Sequence, residues 1–181
     1  MKRFLREYLV LILLAGPIIA LDQWTKFLVR TNIPIGGVWM PWDWLVPYAR
    51  IVHWHNTGAA FGLFQGASLI FTILAFIVSG VIIYYFPQIP TKDWILRLAL
   101  GMQLAGAIGN LVDRLTLGKV TDFISLGNFP VFNVADSSIS VGTAVLILGT
   151  WLKDRQEKRD AARAAAEKAL TEASSTSEEQ R

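Results

Sequence analysis

Ala67–Phe86, ASLIFTILAFIVSGVIIYYF, runs for twenty residues without a charge. A helix of that length covers about 30 Å, the thickness of bilayer hydrocarbon. Working outward, two more segments have the same character. Trp94–Val112 is nineteen residues with one charge, Arg97, placed near an end where it can snorkel to the headgroups. Val134–Leu152 is another nineteen, broken only by Asp136. Upstream, Tyr8–Leu21 holds fourteen uncharged residues, too few to span alone. Continued through Asp22 and Lys26 to Val29 it reaches 22, and these two side chains become i,i+4 neighbours that neutralise each other near the interface. The expected fold is therefore an all-α polytopic membrane protein with four transmembrane helices, over about 8–29, 67–86, 94–112 and 134–152.

Composition agrees. Of 181 residues, 53% are hydrophobic and 17% charged, with a mean hydropathy of +0.43. Soluble domains carry about 25% charge. No cysteine is present, which excludes disulfides, thiolate metal sites and a cysteine nucleophile. A net charge of +3 without a basic cluster argues against nucleic acid as a partner. The opening Met1-Lys-Arg-Phe-Leu-Arg followed by an apolar run is similar to a cleavable signal peptide. Three further spans and the lack of a small-x-small cleavage site favour a retained anchor. With the amino terminus inside, twelve Lys/Arg face the cytoplasm and five the other side, so both termini are expected there. The link from Phe86 to Trp94, with Pro87, Pro90 and the cap candidate Thr91, then forms a cytoplasmic turn.

Residues 30–66 are too many for a simple connector. They hold Trp39, Trp42, Trp44 and Trp54, four of the seven tryptophans, with a turn at Gly36-Gly37 and a possible strand at Tyr48–His55. This suggests a small β-containing, aromatic platform on the outer, non-cytoplasmic surface of the membrane, between the first and second spans. An aromatic belt with no ligand accounts for the same composition. Residues 153–181 form a charged cytoplasmic tail, expected to be helical to Ala173 and disordered over Ser174–Arg181; its seven acids cancel its seven bases. Small residues at Gly101, Ala105 and Gly109, and at Ala135, Gly142 and Gly149, form ridges for close helix approach.

Ionisable groups at membrane depth are costly and so are functional candidates. Asp22, Asp113, Asp122 and Asp136 all gather at the outer ends of the spans, as paired-carboxylate chemistry requires. Asp22 can pair with Lys26, and Asp113 adjoins Arg114, so a structural ion pair is the favoured reading of both. Asp122 sits in Gly118-Lys-Val-Thr-Asp-Phe-Ile, read as a short loop. Asp136 opens the fourth span, where it can also cap a helix. Spacing favours Asp122 and Asp136 as the unpaired couple without settling the matter. Asn110 and Arg114 share a helix face, and Asn133 precedes Asp136; all three can hold carboxylates or a peptide backbone, or satisfy buried helix ends. His53 and His55 lack a third ligand, which favours a non-metal role. Ser137, Ser138 and Ser140 have no base nearby except Asp136.

Four blocks now stand in order: Asp22-Gln-Trp-Thr-Lys26, Asn56-Thr-Gly-Ala-Ala-Phe-Gly62, Gly109-Asn-Leu-Val-Asp-Arg114 with Val120-Thr-Asp-Phe-Ile124, and Phe132-Asn-Val-Ala-Asp136. From about residue 5 to 152 the chain resembles bacterial lipoprotein signal peptidase, or signal peptidase II. The resemblance implies an aspartic endopeptidase of the bacterial cytoplasmic (inner) membrane. Such an enzyme removes the signal peptide from diacylglyceryl-modified prolipoproteins, N-terminal to the lipidated cysteine. By resemblance Asp122 and Asp136 form the catalytic pair. Asp22, Lys26, Asn56, Gly58, Asn110, Arg114 and Asn133 bind substrate or support the site, with Ala60 and Phe61 in the loop block, and Asp113 is framework. No metal or organic cofactor is implied. Expected partners are lipid-modified prolipoproteins and membrane phospholipids, with a monomeric enzyme whose active site faces the periplasm. Two rivals remain: a proton-coupled transporter, which would place its aspartates near the midplane, and a magnesium-dependent lipid transferase, which a chelator would reveal.

Overall fold

The computed structural model describes the backbone of residues 2–58 and 64–179 and the side chains of 4–58 and 64–164. The four apolar segments are helices: α1 Lys2–Asn32, α2 Ser68–Tyr85, α3 Trp94–Leu117 and α4 Val134–Glu179. All four are long and apolar enough to cross a membrane. Their outward faces stay apolar. Leu9, Ile12 and Leu13 on α1, Ile73, Phe76 and Ile77 on α2, and Ile147 and Leu148 on α4 are exposed, which suits lipid rather than water. α4 continues helically through the Ala- and Glu-rich tail as far as Glu179.

α3 lies at the centre and packs on α1, α2 and α4. Small side chains make this possible, since apolar helices in lipid gain their attraction from close approach. A Cβ added at Gly109 would lie 2.6 Å from an Asp22 carboxylate oxygen, so this face of α3 sits directly on α1. A Cβ at Gly106 would collide with the Ala135 carbonyl oxygen of α4. Gly142 and Gly149 bring α4 onto Ala99 and Ile95 of α3, so the expected ridges are the seams of the bundle.

Three strands form an antiparallel sheet in the order β1 (Val38–Trp39), β2 (Ala49–Asn56), β3 (Val120–Leu126). β2 falls within one residue of the expected strand at Tyr48–His55. β3 corrects the loop expected around Asp122, because the platform draws one strand from between α3 and α4. Gly118, in the left-handed region at φ +73°, ends α3. Val120, Thr121, Phe123 and Ile124 then supply the β-branched and aromatic residues a strand favours. Because β3 is buried on both faces, no polar alternation marks it. In register, Asp122 pairs with Trp54 and Val120 with Asn56.

A second correction concerns Arg97. It is buried, not extended to the surface: it donates to Glu7 of α1 and to the Ile89 carbonyl at 3.2 Å, and stacks 4.6 Å from the Phe86 ring centroid. Glu7 also accepts from Arg6 at 3.1 Å. Ninety residues separate Glu7 from Arg97, so nothing local announces the pair.

The seams predict a contrast between two glycines. Gly106→Ala should lower the thermal midpoint in detergent, at an overpacking cost of about 1–3 kcal/mol. Gly80→Ala, with no atom within 4 Å of the new methyl, should leave it unchanged or raise it.

Candidate active site

Lys26 is the starting point, because a fully buried ammonium must have its three protons accepted. Asp22 Oδ2 lies at 2.9 Å from its Nζ, Asn110 Oδ1 at 3.0 Å and Asp113 Oδ2 at 3.5 Å. Arg30 adds a second cation, 3.2 Å from Asp113 Oδ1. Two cations thus face two carboxylates, which is how charge is tolerated in such a place. The expected Asp22–Lys26 pair is present, but inside the protein instead of at the interface. The expected Asp113–Arg114 pair is not formed. Adjacent helical residues point about 100° apart, so Asp113 turns toward α1 while Arg114 turns away.

Both acids also accept from backbone. Asp22 Oδ1 accepts from Ala135 N at 2.9 Å, and Asp113 Oδ2 accepts from Thr121 N at 2.9 Å. Ala135 directly precedes Asp136, and Thr121 directly precedes Asp122. One salt-bridged cluster therefore sets the backbone position of both remaining acids.

Asp122 and Asp136 are held differently. Among the described residues, their hydrogen-bond partners are amides, not cations. Asp122 accepts from Asn133 Nδ2 at 2.7 Å and from Asn56 Nδ2 at 3.0 Å. Asp136 accepts from Asn110 Nδ2 at 2.7 Å and from Asn133 N at 3.2 Å. Asn133 itself is the N-cap of α4, its Oδ1 taking Asp136 N at 2.9 Å in a reciprocal capping box. Asp136, the third residue of α4, closes that box from inside the helix, so the capping alternative read from its position is also realised. The orientation of the Asn110 amide follows from Lys26. An ammonium can only donate, so Asn110 must turn its oxygen to Lys26 and its nitrogen to Asp136. Asn56 likewise spends its oxygen on Gly58 N at 2.9 Å and keeps its nitrogen for Asp122.

Both acids line one cavity of about 720 Å³, together with Asn56, Gly58, Asn110 and Arg114. Phe71, Leu74 and Val78 of α2 form its apolar side. Arg114 reaches the Gly58 carbonyl at 3.4 Å and lies 5.5 Å from the Phe71 ring centroid. Burial, and next the negative charge of Asp136, push the Asp122 carboxyl up to about 7 from its ordinary 3.8, against the opposing pull of the Asn56 and Asn133 amides. Such a pair can hold a proton near neutrality and exchange it with a bound molecule.

Every site residue expected from sequence within the described positions belongs to this cluster or its support; Ala60 and Phe61 lie outside the described residues. Arg30 and the backbone of Thr121 were not expected, since their roles appear only once β3 docks on α1 and α3. His53 and His55 form an edge-to-face pair with centroids 5.0 Å apart, and His53 Nδ1 meets the Ile33 carbonyl at 2.7 Å. Among the described residues, no group of three or more His, Asp or Glu side chains is arranged to hold a metal ion.

Known proteins are similar to this chain in sequence and in fold. The sequence profile of the family described as Signal peptidase (SPase) II matches residues 14–152. The lipoprotein signal peptidase of Shouchella clausii is 42% identical over 144 residues, covering 78% of this chain and 93% of that protein. The lipoprotein signal peptidase of Acinetobacter baylyi is 38% identical over 149 residues, covering 76% and 79%. A bacterial membrane enzyme solved in meso at 2.3 Å resolution superposes with a TM-score of 0.74 at 32% identity, over 82% of this chain and 90% of that one. A second, at 1.9 Å, gives 0.68 at 31% identity, over 77% and 91%.

The Asp22 contacts separate two substitutions. Asp22→Asn keeps an acceptor for Ala135 N, and Lys26 retains Asp113, so the fold should survive with a modest loss of thermal stability. Asp22→Ala leaves the Ala135 N–H unpaired and takes a carboxylate from Lys26, at a cost of about 3 kcal/mol or more. Thermal unfolding of both proteins in one detergent checks the order.

Proposed function

Since the chain belongs to the signal peptidase II family, whose named relatives are lipoprotein signal peptidases, we propose that it is an aspartic endopeptidase for diacylglyceryl-modified prolipoproteins, cleaving N-terminal to the lipidated cysteine. The observation that carries this reading is the pair Asp122 and Asp136, two carboxyls on one cavity, held by amides and, among the described residues, with no cationic partner in contact. Two close carboxylates cannot both ionise cheaply, so the pair shares one proton and titrates as a unit. The ionised member takes a proton from water as the water oxygen attacks the scissile carbonyl. The protonated member donates to the carbonyl oxygen. When the tetrahedral intermediate collapses, the C–N bond breaks, the departing cysteine nitrogen takes up a proton from one carboxyl, and a hydroxyl of the intermediate returns its proton to the other, so the pair regains its single proton.

The donors have distinct tasks in this scheme. Asn110 and Asn133 hold the carboxyls in line through the reaction, Asn56 bridges Asp122 to the loop, and Arg114 with Gly58 offers hydrogen bonds to an extended peptide. The cavity is walled by apolar α2 on one side, which suits a lipid-anchored peptide arriving sideways from the bilayer. The Lys/Arg distribution supports both termini in the cytoplasm and the carboxylate pair toward the periplasm. Exposed Trp39, Trp42, Trp44 and Trp54 suit a platform resting at that membrane surface. We take the enzyme to act as a monomer without metal or organic cofactor, surrounded by phospholipid.

Cleavage of a diacylglyceryl-modified prolipoprotein by purified protein tests the scheme. Asp122→Asn and Asp136→Asn should each lose at least about a thousandfold in kcat, and EDTA should leave wild type unchanged. Activity surviving in either folded variant would move the chemistry elsewhere, and inhibition by EDTA would favour a metal site. The proton-sharing form is lost as pH rises, so kcat/KM should fall about tenfold per pH unit above about 7. The Asn56 amide stabilises the Asp122 carboxylate, so Asn56→Ala should raise that carboxyl further and move the alkaline limb to higher pH.

A further inference from the structure

The cavity does not end at the carboxylates. Gln103 of α3 lines it seven residues from Asn110, which is about 10 Å farther along the helix toward the membrane interior. Ser140 of α4 lines it four residues from Asp136 on the same helix face. Among the described residues, neither the Gln103 amide nor the Ser140 hydroxyl has a hydrogen-bond partner, although Ser137, Ser138, Thr143 and Thr150 all have one. The stem of Gln103 packs on α4, its Cγ 3.2 Å from where Gly142 would carry a Cβ, which leaves the amide for the cavity. A glutamine in the middle of a membrane span, with donor and acceptor both open to a cavity, calls for a polar occupant. The opposite wall, Leu74, Ala75 and Val78, offers none.

A peptide must be extended to be cut, and a signal segment that unwinds inside hydrocarbon exposes N–H and C=O groups that water cannot satisfy. We infer that Gln103, supported by Ser140, is a specificity-determining subsite that hydrogen-bonds the unwound substrate backbone on the N-terminal side of the scissile bond. This rests on the peptidase reading above and deepens it. An extended chain advances about 3.3 Å per residue, so 10 Å places the contact about three residues before the cut. Gln103 offers an acceptor and two donors there, enough for both polar groups of one peptide unit.

A cycle between enzyme and substrate backbone tests the inference with the full-length protein. The probes are lipidated prolipoprotein peptides in which the amide two, three, four or five residues before the scissile bond is replaced by an ester, deleting one N–H at a time. On the all-amide peptide, Gln103→Met should lose about five- to tenfold in kcat/KM, the size of one net hydrogen bond, while its alkaline pH limb stays at the wild-type position. One ester position should cost wild type the same factor and Gln103→Met less than about twofold. If every ester costs both proteins equally, or if Gln103→Met cleaves all peptides like wild type, the subsite is overturned. A uniform loss in Gln103→Met across all peptides likewise overturns it, because that marks a merely structural role. If wild type cleaves no lipidated peptide, the peptidase reading falls, and the subsite falls with it.

Discussion

A single ammonium group organises this molecule. Lys26 has no water to turn to, so three acceptors must converge on it, and they arrive from α1 and α3. Asp22 uses its second oxygen, and Asp113 the oxygen that faces Lys26, to accept a backbone N–H of another element. The starts of α4 and of β3 are thereby pinned to one point. Removing the charge at Lys26 would leave two buried carboxylates short of compensation, the costly way to break such a cluster.

The four membrane-end aspartates illustrate how partners decide what one residue type does. Asp22 and Asp113 meet cations and are structural. Among the described residues, Asp122 and Asp136 accept hydrogen bonds from side-chain amides and a backbone N–H, which hold a carboxyl in place without a cation in contact to cancel its charge. The same three asparagines that orient the pair also link it to the rest: Asn110 to Lys26, Asn133 to the cap of α4, Asn56 to the turn at Gly58. The surrounding surface inverts the usual arrangement, with isoleucines, leucines and phenylalanines outward and the polar network enclosed.

Much of this was legible in the sequence, for reasons that can be named. Hydrocarbon thickness imposes a length on apolar runs, so the four helices stood out directly. Tyr48–His55 carried enough β-type residues to mark β2. The convergence of the four aspartates followed from the up-and-down order of the spans, which sets one end of α1 beside the matching ends of α3 and α4. What stayed hidden depended on contacts between distant residues. β3 looked like a loop because a strand buried on both faces shows no alternation, and its glycine-led start resembled a turn. Arg97 looked free because Glu7 is ninety residues away. Arg114 looked like the partner of Asp113 because the chain sets them adjacent, while the helix turns them onto different faces.

The bond from Asp22 to Ala135 joins the first helix to the last, and it has a meaning in time. A ribosome delivers α1 to the membrane long before α4 exists. During that interval Asp22 and Lys26 travel as a self-neutralised pair one helical turn apart, able to wait in the bilayer. Only when α4 arrives does its first turn find the capping oxygen, and only then does Asp136 come to rest beside Asp122. The paired carboxyls are thus the last thing the nascent chain completes, and a truncated or half-inserted product carries its acids scattered.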